Sequence, residues 1–221
     1  MPESVPDPEN CALFRNKLCL GPPECPFLVL PTPSWALLPA PELVRDSGPT
    51  TTLQGNAAMK DLRILVTGGT IDKVHDTRSE GLSFSPDGST HIPELLRIGR
   101  CHFPTVELLM LKDSLYFDDA DRAAIAGAVA AAPEPAIVIT HGTGTMGETA
   151  RFLAGRTGDR TVVLTGAMRP FSLYASDGEF NLGGAIVAAQ LLAPGVWGVM
   201  NGRVFEAARL DKNVEQGRFD A

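Results

Sequence analysis

Two short glycine-rich runs carry the residues best suited to chemistry. In Thr67-Gly68-Gly69-Thr70-Ile71 the glycines permit a tight turn that lifts a hydroxyl side chain off the end of an apolar run. In His141-Gly142-Thr143-Gly144-Thr145-Met146 a threonine again stands between glycines, directly before a helical pattern. The first turn of such a helix offers unpaired backbone N–H groups to an oxyanion or a carboxylate. A glycine pair after a strand also suits phosphate binding. The first run, however, lacks the GxGxxG spacing of dinucleotide folds and the GK[ST] ending of a P-loop, so both nucleotide readings are set aside. Asp113 and Ser114 follow a third apolar run. By type they serve either as helix-approach residues or as partners for a charged, hydrogen-bonding ligand.

These residues need elements to hold them. From Met59 onward short apolar runs alternate with helical patterns, the signature of a parallel sheet wrapped by helices. The runs Leu62 to Val66, Val106 to Leu111, Ala136 to Thr140, Thr161 to Leu164 and Val196 to Met200 are predicted strands. Between them, Asp118 to Ala132, Met146 to Ala154 and Phe180 to Leu192 are predicted helices. The expected fold is α/β, a doubly wound, mostly parallel sheet with helices on both faces. In such sheets ligands bind in the crevice at the carboxyl ends of the strands. The two threonines therefore face one crevice. Asp177, Gly178 and Asn181 read as structural residues, Asp177 capping the third helix and Asn181 bonding to neighbouring loops.

Composition narrows the function classes. A net charge of −7 over 221 residues, with no Lys/Arg run, provides no field for a phosphate backbone, so nucleic acid is excluded as a partner. The apolar stretch Phe27 to Leu38 is interrupted by Pro31 and Pro33 and is too short to span a bilayer. No secretory signal is recognisable, and the protein is read as soluble and cytoplasmic, with no membrane partner. Before Met59 lie 11 of the 18 prolines and three of the four cysteines, without hydrophobic periodicity. Residues 1–58 are accordingly read as a disordered leader, an upstream extension of a reading frame that starts at Met59, and 59–221 as the folded domain. Cys11, Cys19 and Cys25 have no CxxC pairing and no nearby histidine, so no metal is expected. His91, Cys101 and His102 receive no role.

ILVTGGTI at 64–71, ITHGTGTMGETA at 139–150 and VVLTGAMRPF at 162–171 running on to SDGEFNLGGA at 176–185 resemble the ordered signatures of the bacterial asparaginase family. MLKDSL at 110–115 and VMNGRVF at 199–205 are similar to its short, single-domain branch. The resemblance implies the N-terminal-domain fold of that family and a cofactor-free amidohydrolase that converts L-asparagine to L-aspartate and ammonia, with glutamine as an alternative substrate and a homo-oligomeric assembly. It implies that Thr70 attacks the amide carbon to form an acyl-enzyme, that Thr143 assists the hydrolytic water, and that Asp113 and Ser114, with Gly142 and Gly144, hold the substrate.

Three positions depart from the family pattern. The carboxylate after the second threonine is replaced by Gly144, and Arg160 is taken as the replacement for the lysine of the acid–base pair. Arginine keeps the positive charge but does not release a proton, so Arg160 is expected to stabilise an anion. The tyrosine of the loop after TGGTI is missing, and His75, near its place, is the candidate base. Two other readings follow from these changes. One is a degenerate homologue that binds asparagine or aspartate without efficient catalysis, and the other is an ammonia-releasing partner subunit like that of the glutamyl-tRNA amidotransferase.

Overall fold

A computed structural model describes residues 59–220, so the reading of residues 1–58 as a leader lies outside the described residues. Five parallel strands form the centre: β1 (Leu62–Gly68), β4 (Thr105–Lys112), β5 (Ala136–Thr140), β6 (Thr161–Thr165) and β7 (Gly195–Met200). The order across the sheet is β4-β1-β5-β6-β7, and β8 (Arg203–Glu206) closes one edge antiparallel to β7. The chain leaves β1 for β4 on one side and then crosses to β5 on the other. The direction of winding therefore reverses at β1, whose carboxyl end is the switch point where a doubly wound sheet opens a crevice.

Alternation along the strands builds two cores. Leu65, Ile137, Ile139, Val162 and Leu164 pack with α2 (Asp119–Ala131) and α3 (Met146–Leu153) on one face. Ile64, Val66, Val138 and Val163 pack with α1 (Ile92–Ile98) and α4 (Gly178–Leu191) on the other. Strands covered on both faces read as unbroken apolar runs, which is why β5 and β6 are wholly buried. α2 begins in a reciprocal capping box in which Asp118 accepts from the Asp121 N–H and Asp121 from the Asp118 N–H.

The expected strands and the three expected helices are present. A hairpin of β2 (Lys73–Asp76) and β3 (Gly81–Phe84), the short helix α1, β8, and a terminal pair β9 (Lys212–Asn213) with β10 (Arg218–Phe219) were not foreseen. Asp177 does stand at the N-cap position of α4 but makes no cap bond there. Its carboxylate instead accepts from the backbone N–H groups of Met168 (2.9 Å) and Arg169 (3.0 Å), fixing the loop after β6. Asn181 bridges loops: Nδ2 donates to the Gly166 carbonyl at 3.0 Å, and Oδ1 accepts the Asn201 N–H at 3.0 Å.

Asn181 is fully buried, so replacing it with leucine strands a carbonyl and an N–H away from water. Asn181→Leu is expected to lower the unfolding free energy by roughly 2 to 4 kcal/mol in urea titration. A loss below about 1 kcal/mol would show that these two loops are held by other contacts.

Candidate active site

The site begins with three backbones brought into direct contact. Gly68 and Gly69 adopt φ of 93° and 84°, a region open to glycine, and turn the chain sharply off the end of β1. A Cβ on Gly69 would lie 2.4 Å from the Gly142 nitrogen, and one on Gly142 would lie 2.3 Å from Ser114 Oγ. No side chain fits at either position. The loops after β1, β5 and β4 therefore stack against one another and enclose a cleft of about 470 Å³ whose wall includes Thr70, Thr143, Gly142, Gly144, Asp113 and Ser114. The structure thus brings six of the eight sequence-derived site residues together.

His141 holds the middle loop. It is fully buried, with Nδ1 2.8 Å from the Gly142 carbonyl and Nε2 2.9 Å from Thr149 Oγ1, and its ring meets Phe117 edge-on. Burial drives its pKa down to about 4, with the nearby Arg122 guanidinium adding to the shift, so the ring is neutral. A neutral imidazole satisfies both bonds when Nδ1–H donates to Gly142 and Nε2 accepts from Thr149. The backbone carrying Thr143 is pinned to the first turns of α3 in this way. The N-cap of α3 makes no side-chain cap bond, because Thr145 Oγ1 donates instead to the Ser114 carbonyl at 2.8 Å.

Electrostatics in the cleft centre on Asp113. Lys73 Nζ lies 2.5 Å from Asp113 Oδ2, and the Leu115 N–H donates to Oδ1 at 3.0 Å. Partial burial by itself would raise the Asp113 pKa, but these two donors outweigh it and hold the carboxyl below its usual range. Ser114 Oγ is buried and has no hydrogen-bond partner among the described residues.

Sequence reasoning missed Lys212. After β8 the chain returns across α3, and Leu210 packs where Gly198 and Gly147 leave room. A Cβ on Gly198 would fall 2.3 Å from the Leu210 side chain, and one on Gly147 would fall 2.1 Å from its carbonyl. This close approach delivers Asp211 and Lys212 to the wall of the same cleft. The available signal was a glycine inside a strand and another in the first turn of a helix, both marks of a backbone passing nearby.

Two sequence-derived residues do not reach the cleft. Arg160 precedes β6 and so lies at the amino end of the parallel strands, where its guanidinium donates to the Ala130 and Ala132 carbonyls at the end of α2. Five residues of strand, about 16 Å, separate that end from the crevice. The Arg160 side chain caps the end of α2, and its pairing with Gly144 does not exist. His75 is exposed on β2, opposite Leu82 in the hairpin, two residues beyond Lys73 and outside the cleft wall. Among the described residues no cluster of three or more His, Cys, Asp or Glu side chains could hold a metal ion, and no helix is long and apolar enough to cross a membrane.

A doubly wound α/β domain with hydroxyls, an amine and carboxylates gathered at its switch point defines the class of this protein. Residues 61–221 match the family model described as asparaginase, N-terminal, and the chain belongs to the asparaginase family. It is similar to L-asparaginase 2 of Escherichia coli, 47% identical over 79 residues that cover 34% of this chain and 23% of the relative. It is also similar to a glutamyl-tRNA(Gln) amidotransferase component of Methanococcus maripaludis, 30% identical over 163 residues, 70% of this chain and 38% of the relative. Among solved structures, a probable cytoplasmic L-asparaginase of Campylobacter jejuni superposes with a TM-score of 0.57 at 30% identity, over 68% of this chain and 48% of that one. The chain thus spans a quarter to a half of the length of these relatives.

Because the folded-state pKa of His141 lies below its unfolded value, the unfolded chain binds the additional proton between about pH 6.5 and 4. The stability associated with this group is complete above pH 6.5 and is lost as pH falls through that window, by about 3 kcal/mol in all. Unfolding curves of the protein and of His141→Gln, measured from pH 7 to pH 4, are expected to diverge in slope, the variant being flatter. Equal slopes would place the acid sensitivity elsewhere.

Proposed function

We propose that this chain is an amidohydrolase that releases ammonia from a small carboxylic amide through a threonine nucleophile, with asparagine the substrate suggested by its relatives. The observation that carries the reading is the meeting of Thr70, Thr143 and Lys212 in one cleft at the switch point. A threonine hydroxyl attacks a carbonyl only when a base takes its proton and donors receive the oxyanion. Lys212 supplies the titratable amine that arginine would not. Backbone N–H groups of the glycine-flanked loop, at the uncapped start of α3, supply the donors.

In the first half-reaction Thr70 Oγ bonds to the amide carbon and its proton passes to Lys212. Collapse of the tetrahedral intermediate breaks the C–N bond, and nitrogen leaves as ammonia with the proton that Lys212 gives back to it. Water then attacks the ester carbon beside Thr143, restoring Thr70 and freeing the acid. Thr143 is nine-tenths buried, well suited to orient one water rather than to exchange with bulk.

The similarity to an amidotransferase component favours a second reading, in which the ammonia is passed to a partner protein. Ammonia release that rises more than tenfold on adding a partner protein would support it.

Two outcomes test the favoured reading. Thr70→Ala is expected to abolish ammonia release from the purified chain, and residual activity within about tenfold of the parent, ~1.4 kcal/mol in barrier, would move the nucleophile elsewhere. Lys212→Met is expected to reduce kcat/KM by at least about a hundredfold, the range of a positioned acid–base group, while Arg160→Met stays within about twofold below its melting temperature. The reverse pattern would return the cation role to Arg160.

A further inference from the structure

Among the described residues the cleft wall contains four charged side chains: Lys73, Asp113, Asp211 and Lys212. Both carboxylates are already occupied. Asp113 is bound by Lys73 at 2.5 Å and by the Leu115 N–H at 3.0 Å, and Asp211 accepts from Arg151 through both oxygens at 3.0 and 3.1 Å. Lys212, by contrast, forms no ion pair among the described residues, whose salt bridges at this cleft are Lys73–Asp113 and Arg151–Asp211. At position 144 a glycine stands with the Leu115 side chain against it, 2.7 Å from where a Cβ would be. No carboxylate projects there. Among the described residues no carboxylate of this cleft is therefore left without a cation partner.

A second observation points to the shape of the ligand. Ser114 belongs to the cleft wall, the residue is only 1% exposed, and its hydroxyl has no hydrogen-bond partner among the described residues. A buried hydroxyl left unpaired is destabilising, a deficit that a substrate carboxylate removes by accepting its hydrogen bond. The cleft thus has a free donor for an acid group. Among the described residues it has no unpaired carboxylate for an ammonium. An α-ammonium placed beside Asp113 has to displace Lys73 from a partly buried ion pair and leave that amine without its partner.

We propose that the cleft selects ω-monoamides of dicarboxylic acids that carry no α-ammonium group, succinamic acid being the simplest, over asparagine itself. The selection rests on the amidohydrolase reading and concerns the same site. The reaction balances as hydrolysis: the C–N bond breaks, the water oxygen joins the acyl carbon, both water protons end on nitrogen, and the products are the dicarboxylate and ammonium. Lys73 is the specificity residue. It neutralises the carboxylate that would otherwise recognise the amino group.

The experiment measures ammonia release by the full chain from succinamate and from asparagine, together with calorimetric binding of the products succinate and aspartate. The expected result is a kcat/KM at least tenfold higher for succinamate, carried mainly by KM, and tighter binding of succinate than of aspartate. Lys73→Met frees Asp113 and is expected to swing the kcat/KM ratio at least tenfold toward asparagine, whereas Lys73→Arg retains the pair and the succinamate preference. A preference of the parent protein for asparagine, or an unchanged ratio in a folded Lys73→Met, overturns the proposal. Hydrolysis of neither amide overturns the amidohydrolase reading instead, and the calorimetry then decides selectivity by itself. Aspartate binding as tightly as succinate, or no binding of either, overturns the proposal in that case too.

Discussion

The structure depends on the absence of side-chain volume between the loops that end β1, β4 and β5. Gly69 lies against the His141–Gly142 backbone, and Gly142 lies against Ser114, at distances that no Cβ could occupy. Close-packed interiors do not yield by an ångström without displacing whole elements, so a methyl group at either glycine separates strands rather than deforming a loop. The same contact gathers Thr70 and Thr143 on the wall of one cleft. The register of β1 on β4 slips between Val66 and Gly68, with extra residues on the β4 side, so Asp113 and Ser114 are turned to meet the stacked loops. Site geometry and sheet geometry are one constraint.

Most of the scaffold was legible because both faces of the sheet are covered. Residues 136–140 and 161–165 are buried along their whole length, and a run of three or four apolar residues bounded by threonine is what such a strand looks like. The hairpin of β2 and β3 was not legible, since Lys73-Val74-His75-Asp76 is partly exposed on both sides and packs too little apolar surface to impose a pattern. Motif order identified the two threonine loops and the Asp113–Ser114 pair, whose spacing is fixed by the turns that carry them.

Cation placement was the point where linear sequence misled. Arg160 stands next to a strand that belongs to the site, but at the end of the strand that faces away from it, and only residues following a parallel strand reach the crevice. Its guanidinium has a sufficient explanation in the carbonyls at the end of α2, where a positive charge is favoured. Lys212 lies far beyond Thr143 in the chain, in a polar terminal segment with two-residue strands. Nothing in its neighbours' hydrophobicity announces it. Its position is a tertiary fact.

That tertiary fact is built from polar bonds as much as from apolar packing. Asn181, buried on α4, accepts the Asn201 N–H, and Asn201 Oδ1 in turn accepts the Phe219 N–H at 2.9 Å. Asn201 occupies the left-handed region at φ 52°, which asparagine tolerates better than most residues, so the turn between β7 and β8 aims its side chain toward β10. Phe219 is the partner of Lys212 in the β9–β10 ladder and is itself buried beside Phe205. A relay of two asparagines thus runs from the loop after β6 to β10, which pairs with the strand that carries the amine. The apolar anchor Leu210 sets how close that strand lies, and the relay sets its register. The motif resembling SDGEFNLGGA, read in sequence as local turn chemistry, therefore acts at a distance: its asparagine supports the strand that brings Lys212 to the cleft of Thr70 and Thr143.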